Sequence, residues 1–340
     1  AVFVAAVQLA AAVRLYARSR RRAPALKGAP SACVIVPFKG PASAENVAAF
    51  LKQDYPGALS WKFVVASDKD AALSVLPAAH RLVSDAVPTV SSEKSLNLAA
   101  GAAAAGGAEL LLFADADVRV RPDWARRLAA ALQEPGVSVA TAALLPRDWL
   151  SAAWFSAGLT WFEPLTIAVG QSLAIRRRDF DALGVARLWR SAVSDDLALA
   201  NAVRAAGGRC VLVPGAAPEG RGGGWRAALE QFDRWMTLFR FDMPRVWWPG
   251  LLAVAVKLGA LWQAFSAPFC PTLAAVVLCG DALTLFVAAC ALGSPRRAAG
   301  VALAAPLLLA AHARNYLVSA FSREIVWAGW TYFLDGPRAE

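Results

Sequence analysis

Residues Leu110–Asp117 read LLLFADAD, and this stretch decides how the chain folds. The apolar run predicts a strand that is buried on both faces of a sheet. Asp115 and Asp117 then follow the carboxyl end of that strand, where open α/β sheets bind their ligands. Two hard oxygen ligands at such an edge suit Mg²⁺ or Mn²⁺. The stretch therefore predicts a divalent-metal site, and its alternative interpretation is a solvated acidic turn.

Apolar runs on either side of this strand alternate with helical patterns. The predicted strands are Ala32–Val36, Lys62–Ala66, Ala86–Val90, Leu110–Ala114, Val137–Ala142 and Cys210–Val213. The predicted helices between them are Ser43–Gln53, Lys94–Ala105, Pro122–Leu132 and Asp195–Ala206. Apolar strands separated by helices indicate a mostly parallel sheet that is covered on both faces. We therefore expect an α/β domain over residues 31–241.

Polar side chains follow the first two strands. The first strand leads through Pro37 and Lys39 into a loop that could surround a nucleotide. Asp68 and Asp70 follow the second strand, where they could accept hydrogen bonds from a base or a ribose. Pro37 and Lys39, like Asp68 and Asp70, could also be ordinary loop residues.

Further polar motifs occur later in the domain. Lys94 and Asn97 lie at the front of a predicted helix, where a cation and the helix dipole could meet a phosphate. Three other motifs are the Gly-Gln-Ser of Gly170–Ser172, the Ser-Asp-Asp of Ser194–Asp196 and the Gln-Phe-Asp-Arg-Trp of Gln231–Trp235. Each taken singly is better explained as a loop, a cap or a solvated helix face.

The residues outside this domain are strongly apolar. The 340-residue chain is 58% hydrophobic with a mean hydropathy of +0.45, too apolar for a soluble enzyme of this size. Apolar segments lie at Ala1–Val13, Val246–Ser266, Pro271–Leu292 and Ala299–Ala320. We expect an N-terminal membrane anchor with a basic flank over 1–23, three transmembrane helices over 246–320 and a tail over 321–340.

Basic residues predict the orientation of these segments. The formal net charge is +10, and the basic run Arg18–Arg22 directly follows an apolar segment. Anionic lipid headgroups explain such a run better than a nucleic-acid arm, because no nucleic-acid-binding motif accompanies it. Arg296 and Arg297 lie between the last two apolar segments. By the positive-inside rule we expect an integral protein of a bacterial inner membrane, with a cytoplasmic α/β domain and the tail outside.

Three smaller features complete the prediction. The aromatic-rich stretch Trp149–Val169 predicts an interfacial helix, or alternatively a helix packed on the sheet. Lys257 and Asp281 lie within apolar segments, so they are expected to pair with each other or to face a cavity. The five cysteines lack a C-x-x-C spacing and are expected to be reduced, buried hydrophobes.

The order of these motifs resembles the membrane-bound branch of glycosyltransferase family two. The motifs V-P-F-K-G, D-x-D, G-x-S, an acidic pair and Q-x-x-R-W extend over Ala32–Trp235. The likeness is greatest to ceramide glucosyltransferases and related bacterial lipid glycosyltransferases. It implies a GT-A (Rossmann-like) fold and an inverting, metal-dependent enzyme. Such an enzyme moves a sugar, glucose-like, from a UDP-sugar to the hydroxyl of a membrane lipid such as ceramide.

The resemblance also implies roles for residues. Asp196 matches the position of the catalytic base, and Asp195 stands where such enzymes often have Glu. A carboxylate at a helix start can remove the proton of an attacking hydroxyl. The metal ligands would be Asp115 and Asp117. The candidate donor-binding residues are Pro37, Lys39, Asp68, Asp70, Lys94, Asn97, Asp115, Gly170, Ser172, Gln231, Arg234 and Trp235. Ceramide enzymes usually carry a His after the fifth strand, whereas Thr141 and its neighbours include none, which weakens ceramide as the acceptor.

Two alternative functions share part of this pattern. A processive polysaccharide synthase also contains Q-x-x-R-W, but moving a polymer needs a channel through many helices, and about four spans are too few. A non-enzymatic membrane scaffold or transporter would not need the full set of carboxylates.

Overall fold

The computed structural model describes residues 1–20, 25–146, 151–153, 156–158, 165, 167–220, 224–266, 270–293 and 295–334. The chain divides into two units. The sheet unit comprises Arg22–Leu145 and Thr166–Arg221, and the helical unit comprises Ala1–Arg21, Pro146–Leu165 and Gly222–Glu340. The stretch after Arg221 thus groups with the helices rather than with the α/β domain to which the sequence pattern assigned it.

The sheet unit is built on a mixed, mainly parallel sheet. Its strands are β1 Ala32–Pro37, β2 Leu59–Val65, β3 Arg81–Val83, β4 Leu110–Ala114, β6 Val137–Thr141, β8 Ser172–Arg176 and β9 Arg209–Leu212. Their order in the sheet is β3-β2-β1-β4-β8-β6-β9. Only β8 runs antiparallel to its neighbours β4 and β6. A small second sheet contains β5 Val118–Arg119, β7 Leu145–Pro146 and β10 Glu219–Gly220.

The predicted strand Leu110–Ala114 is confirmed as β4, near the centre of the sheet. It pairs in parallel with β1, in a register that sets Ala32 opposite Leu110 and Ile35 opposite Phe113. Because the strand order reverses between β1 and β4, a crevice opens beyond their carboxyl ends. The loops that follow Pro37 and Ala114 therefore lie side by side at that edge.

Helices pack on the main sheet. They are α2 Ala44–Leu51, α3 Glu93–Ala103, α4 Trp124–Ala131, α5 Arg177–Ala182, α6 Val185–Trp189 and α7 Asp195–Ala205. The hydroxyl of Ser92 accepts the Ser95 N–H at 3.1 Å and caps α3. A Cβ on Gly101 would lie 2.4 Å from Ile35 Cγ2, so only glycine lets α3 approach β1 this closely. This approach brings the start of α3 to the crevice edge.

One predicted strand of this unit was wrong, and one predicted helix begins two residues later than expected. Residues Ala86–Val90 do not form a strand; the edge strand is β3, a few residues earlier. Val87 is 71% exposed, and Pro88 cannot donate a hydrogen bond to a ladder. The helix expected from Pro122 begins at Trp124, and the Asp123 carboxylate binds Arg127 at 2.6 Å. The expected interfacial helix lies mostly outside the described residues.

The helical unit contains long apolar helices and a terminal hairpin. Its helices are α1 Val2–Arg20, α8 Gly224–Asp242, α9 Pro244–Phe265, α10 Pro271–Ala291, α11 Pro295–Leu303 and α12 Ala305–Phe321. Three of them, α1, α9 and α10, are long and apolar enough to cross a membrane. The third C-terminal span expected from the sequence is instead broken into α11 and α12, which are bent by 67°. Strands β11 Glu324–Trp327 and β12 Trp330–Phe333 form an unpredicted antiparallel hairpin.

A polar cluster joins three of these helices. Lys257 Nζ lies 2.5 Å from Asp281 Oδ1 and 2.5 Å from Gln8 Oε1. The predicted pairing of Lys257 with Asp281 is therefore confirmed. All five cysteines are free, but Cys270 and Cys279 are exposed, so the expectation that every cysteine is buried was wrong for these two.

Candidate active site

The D-x-D loop follows β4 at the crevice. Hydrogen bonds between its backbone and neighbouring segments hold it in place. The Asp115 N–H donates to Gln171 O at 3.4 Å, and Asn46 Nδ2 donates to Ala116 O at 3.2 Å. The Asp115 side chain is half-buried, whereas that of Asp117 is exposed. The loop thus presents one carboxylate inside the crevice and one at its mouth.

Lys94, in the first turn of α3, connects two of the predicted motifs. Its Nζ lies 2.7 Å from Asp115 Oδ1 and 3.1 Å from Asp195 Oδ1. Burial by itself would lower the pKa of this ammonium, but the surrounding carboxylates, led by that of Asp115, outweigh burial and raise it. Burial and the neighbouring Asp117 raise the pKa of Asp115, although Lys94 opposes them. The ammonium is therefore charged and holds the D-x-D loop beside the Ser-Asp-Asp motif.

Asp196 is held in one orientation at the start of α7. Its Oδ2 accepts the Gly170 N–H at 2.9 Å, and its Oδ1 accepts the Ser194 hydroxyl and the Leu197 N–H at 2.5 and 2.9 Å. A Cβ on Gly170 would lie 3.0 Å from Lys94 Nζ and 3.0 Å from Asp195 Oδ2, so a larger residue here would crowd both side chains. Asp196 remains half-buried, so its carboxylate borders the open crevice.

Asp195 is the more deeply buried member of the acidic pair, with 2% of its surface exposed. Burial raises the pKa of its carboxyl to about 6, assisted by the negative charges of Asp196 and Asp115 and opposed by Lys94. Its Oδ2 accepts no hydrogen bond from the part of the chain that the structure describes.

Thr141, at the end of β6, fastens the Gly-Gln-Ser segment to the sheet. Its hydroxyl accepts the Val169 N–H at 2.9 Å and donates to Ser172 O at 2.9 Å. The Ser172 hydroxyl is buried and accepts the Trp124 indole N–H at 2.8 Å. Both side chains therefore support the backbone of the site. The Ser172 hydroxyl bonds Trp124 and is not offered to the nucleotide-sugar donor.

The predicted nucleotide residues lie around the end of β1. Pro37 ends that strand, and Lys39 Nζ lies 2.7 Å from Glu93 Oε2. The carboxylate of Asp70 accepts the Gly40 N–H at 3.0 Å and the Ala72 N–H at 2.8 Å, so it already serves the backbone. Asp68 is exposed, and its Oδ1 lies 3.5 Å from the Ser67 hydroxyl. Of the two carboxylates, Asp68 is the one that faces solvent.

Two residues of α3 differ from what the sequence suggested. Asn97 is buried, and its Oδ1 accepts the Ser84 hydroxyl at 2.5 Å, so its amide supports the loop after β3. Glu93 was not singled out from the sequence, yet it orients Lys39 at the crevice edge. The sequence signal that could have identified Glu93 is its position next to Lys94 at the start of a helix.

The Q-x-x-R-W residues lie on α8, in the helical unit. Gln231, Arg234 and Trp235 share one helix face by their spacing. The Arg234 guanidinium lies over the Trp327 ring, 5.6 Å from its centroid, and the Trp235 and Phe232 rings meet edge to face at 5.1 Å. The approach of this motif to the carboxylates of the sheet unit stays a prediction.

Comparisons with known proteins identify the family of the chain. The model of Glycosyl transferase family 21 matches residues 1–338. The chain belongs to glycosyl transferase family 21. The prediction of a glycosyltransferase is thus confirmed, and the family is number 21 where the motifs resembled family two. No curated protein sequence matches the chain.

Solved structures show the fold of this transferase. A mannosyltransferase from Pyrobaculum calidifontis, in complex with GDP-Man and Mn²⁺, is 18% identical over 93% of this chain and 97% of its own, with a TM-score of 0.52. That likeness confirms the GT-A fold. Glucosyl-3-phosphoglycerate synthase from Mycobacterium tuberculosis, with phosphoglyceric acid, is 14% identical over 67% of this chain and 83% of its own, with a TM-score of 0.41.

The carboxylates of this transferase fit a divalent cation. Within the described residues no group of three or more His, Cys, Asp or Glu side chains forms a closed metal site. An open pair suits Mg²⁺ or Mn²⁺, which bind through one or two carboxylates together with substrate phosphates. Asp115 and Asp117 provide hard oxygen donors at the crevice, and the Lys94 ammonium lies against Oδ1 of Asp115. A cation bound there would neutralise charge on a leaving diphosphate.

Proposed function

We propose that this protein is an inverting, metal-dependent hexosyltransferase that moves one sugar, glucose-like, from a UDP-sugar to the hydroxyl of a membrane lipid. The observation that carries the proposal is the meeting of two motifs at one crevice, where Lys94 bridges the carboxylates of Asp115 and Asp195. Neither a solvated acidic turn nor a helix cap requires that contact.

In this mechanism Asp196 is the general base. The acceptor oxygen forms a bond to the anomeric carbon as the bond from that carbon to the diphosphate oxygen breaks. The hydroxyl proton passes to the Asp196 carboxylate, and the nucleoside diphosphate leaves. Attack opposite the leaving group inverts the anomeric centre. Three hydrogen bonds hold Asp196 in place, and its partial exposure lets an acceptor reach it.

The remaining residues hold the donor. Asp68 binds the nucleotide, because its side chain is the more exposed of the two. Asp115 and Asp117 would hold a divalent metal, which would neutralise the charge of the diphosphate, and Lys94 keeps the Asp115 carboxylate beside the acidic pair. Gln231, Arg234 and Trp235 close over the diphosphate and the acceptor site, as the motif resemblance implies.

The acceptor is a lipid of the ceramide type or a related hydroxylated lipid. The apolar helices α1, α9 and α10 support a membrane acceptor, because helices long and apolar enough to cross a membrane would keep the protein in contact with lipid. In a bacterial inner membrane the sheet unit would face the cytoplasm, where nucleotide sugars are made. Thr141 pins the backbone where ceramide enzymes usually carry a His, which favours a lipid other than ceramide itself.

A transfer assay tests the proposal. The full-length protein in detergent is incubated with Mn²⁺, radiolabelled UDP-glucose, UDP-galactose or GDP-mannose, and either ceramide or a bacterial lipid extract. We expect a lipid-soluble product carrying one sugar, whose anomeric configuration is opposite to that of the donor. The Asp196→Asn protein serves as the matched control. A polymeric product would favour the processive synthase, and no product with any donor would overturn the proposal.

A further inference from the structure

The contacts of α9 with α10 define the direction of both helices. Lys257 of α9 pairs with Asp281 of α10, and Ala260, three residues further along α9, packs with Val277, four residues earlier in α10. Residues later in α9 thus lie against residues earlier in α10, so the two helices are antiparallel. If α9 crosses the membrane, α10 brings the chain back to the side on which α9 began.

The contacts of α12 show that it also runs antiparallel to α9. Trp247, in the first turn of α9, donates from its indole N–H to the Ser319 hydroxyl at 2.9 Å, and its ring meets that of Tyr316. Ala260, far along α9, belongs instead to the same apolar cluster as Leu309, near the start of α12. The carboxyl end of α12 therefore lies where α9 begins.

Because α10 and α12 both run against α9, they run in the same direction. The chain must therefore re-enter the membrane between them, and among the described residues α11 is the helix that lies there. Because the axes of α11 and α12 differ by 67°, α11 rises at a strong tilt to the membrane normal. Nine residues of helix rise about 13 Å, less than half of a hydrocarbon core of about 30 Å. The first helix of the pair, α11, is therefore too short to cross the membrane by itself.

The N-terminal helix agrees with this arrangement. A Cβ on Gly280 of α10 would lie 3.2 Å from Ala5, and Gln8 bonds Lys257, so α1 runs parallel to α10. The basic end of α1 and the start of α11 then lie on the side where α9 begins. Arg18 and Arg296 are both on that side, as the positive-inside rule requires of a single cytoplasmic face.

The C-terminal segment also contacts the helix that carries Q-x-x-R-W. The Arg240 guanidinium donates to Ser322 O at 2.9 Å and to Ala320 O, and Asp233 pairs with Arg314 at 2.6 Å. Further along, Trp327 of the hairpin lies under the Arg234 guanidinium. Since α8 ends one residue before α9 begins, the hairpin shares the side of the membrane on which α9 starts.

We infer that residues 295–321 form a re-entrant helix pair, and that the hairpin 324–333 returns to the side of the membrane that carries the sheet unit, where Trp327 positions Arg234. This replaces the prediction from span counting that the tail lies outside. The α8 helix follows the sheet unit directly in the chain, so no span separates them. The role of Trp327 in positioning Arg234 rests on the proposed function, in which Arg234 contacts the donor. The re-entrant topology does not depend on the proposed function.

Cysteine labelling tests the topology without any activity. In a background in which the other cysteines are Ala, three full-length proteins each carry a single cysteine: native Cys270 between α9 and α10, Arg226→Cys on α8, or Val326→Cys on the exposed face of the hairpin. Sealed inverted and right-side-out vesicles are treated with an impermeant maleimide. We expect positions 226 and 326 to react in one orientation and Cys270 in the other.

The alternative result is equally clear. Reaction of position 326 together with Cys270 would place the hairpin across the membrane and overturn the inference. Thr331→Cys, on the same exposed hairpin face, replaces Val326→Cys if that variant does not accumulate in the membrane.

Binding of UDP and Mn²⁺ tests the role of Trp327. A ring under a guanidinium attracts it and limits its motion. Trp327→Leu should therefore weaken UDP binding about tenfold, and Trp327→Phe should restore most of it. Phe333→Leu, a matched change on the exposed hairpin face, should bind like the unmodified protein. Equal binding by Trp327→Leu, or equal loss in Phe333→Leu, would overturn the positioning role. Absence of UDP binding to the unmodified protein would instead overturn the proposed donor site, while the labelling result would stand.

Discussion

Two adjacent carboxylates, Asp195 and Asp196, differ sharply in environment. Asp195 is buried against Lys94, whereas Asp196 borders the crevice and accepts three hydrogen bonds from its surroundings. A general base must reach the acceptor hydroxyl, so accessibility favours Asp196, and burial gives Asp195 an orienting role.

Replacing each carboxylate separates these roles. Asp196→Asn keeps the shape and hydrogen bonding of the side chain but cannot take a proton, so turnover should fall ~10²-fold or more. Donor binding should survive, because the candidate nucleotide and metal contacts lie on other residues. Asp195→Asn should be milder. Donor affinity and initial rate are measured for both proteins side by side. Normal turnover by Asp196→Asn with an inactive Asp195→Asn would assign the base to Asp195.

The raised pKa of Asp195, about 6, predicts a pH-dependent stability. The folded protein holds this proton more tightly than the unfolded chain does. Raising the pH from about 3 to about 7 therefore ionises a buried carboxyl and lowers the free energy of unfolding, by about 3 kcal/mol for this group alone. Unfolding of the unmodified protein and of Asp195→Asn is compared at both pH values in chelator. The unmodified protein should lose stability relative to Asp195→Asn as the pH rises; a constant difference would contradict the assignment.

At the scale of elements, the cluster of Lys257, Asp281 and Gln8 ties α1, α9 and α10 together. Only 7% of the Lys257 side chain and 13% of that of Asp281 are exposed. An apolar segment tolerates such charges when they are paired, and it penalises either charge when it stands alone.

Removing one partner should therefore cost more than removing both. Lys257→Met leaves Asp281 buried without its cation and should destabilise the helical unit by about 3–5 kcal/mol. The double variant Lys257→Met, Asp281→Leu should recover most of that loss. Stability is measured as thermal unfolding in detergent, with the partly exposed Leu258→Ala as the control. A double variant that is less stable than Lys257→Met would show that the pair is not a compensating one.

At the scale of the whole molecule, donor and metal should stabilise the folded chain together. A ligand that binds only the folded state, present at 100 times its Kd, adds about 2.7 kcal/mol to the free energy of unfolding. We expect UDP with Mn²⁺ to raise the unfolding temperature of the unmodified protein, and chelator to reverse the rise. Asp117→Asn should lose most of the effect, whereas Asp54→Asn, an exposed carboxylate on the surface, should keep it. An equal rise in Asp117→Asn would exclude Asp117 as a metal ligand.

Much of this architecture was predictable because burial is encoded locally. A strand such as β4 is covered on both faces, so its sequence is apolar throughout, and α9 and α10 are recognisable by length and composition alone. The carboxylates after β4 were predictable for a related reason, since polar groups directly after a buried strand lie at the ligand-binding edge. These features depend on residues that are neighbours in the chain.

The tertiary structure decided what depends on residues far apart in the chain. The edge strand formed at Arg81–Val83 because pairing with β2 selects the register, and the antiparallel β8 reflects its place between β4 and β6. Likewise, the apolar content of residues 299–320 matched a span, but a bend of 67° between α11 and α12 cannot be read from hydropathy. A hydropathy pattern indicates how much apolar surface a segment buries. It does not indicate what packs against that surface.

The same distinction applies to the site. The sequence by itself determined which residue types stand at the crevice, because D-x-D, Ser-Asp-Asp and Gly-Gln-Ser each follow or precede a recognisable element. Only the tertiary structure decided which of them share a contact: Lys94 reaches two carboxylates, while Asn97, Ser172 and Asp70 bond the protein itself. The physical reason is that a polar side chain is used by whichever partner folding brings within hydrogen-bond distance. That partner is set by packing between distant segments, about which a local motif contains no information.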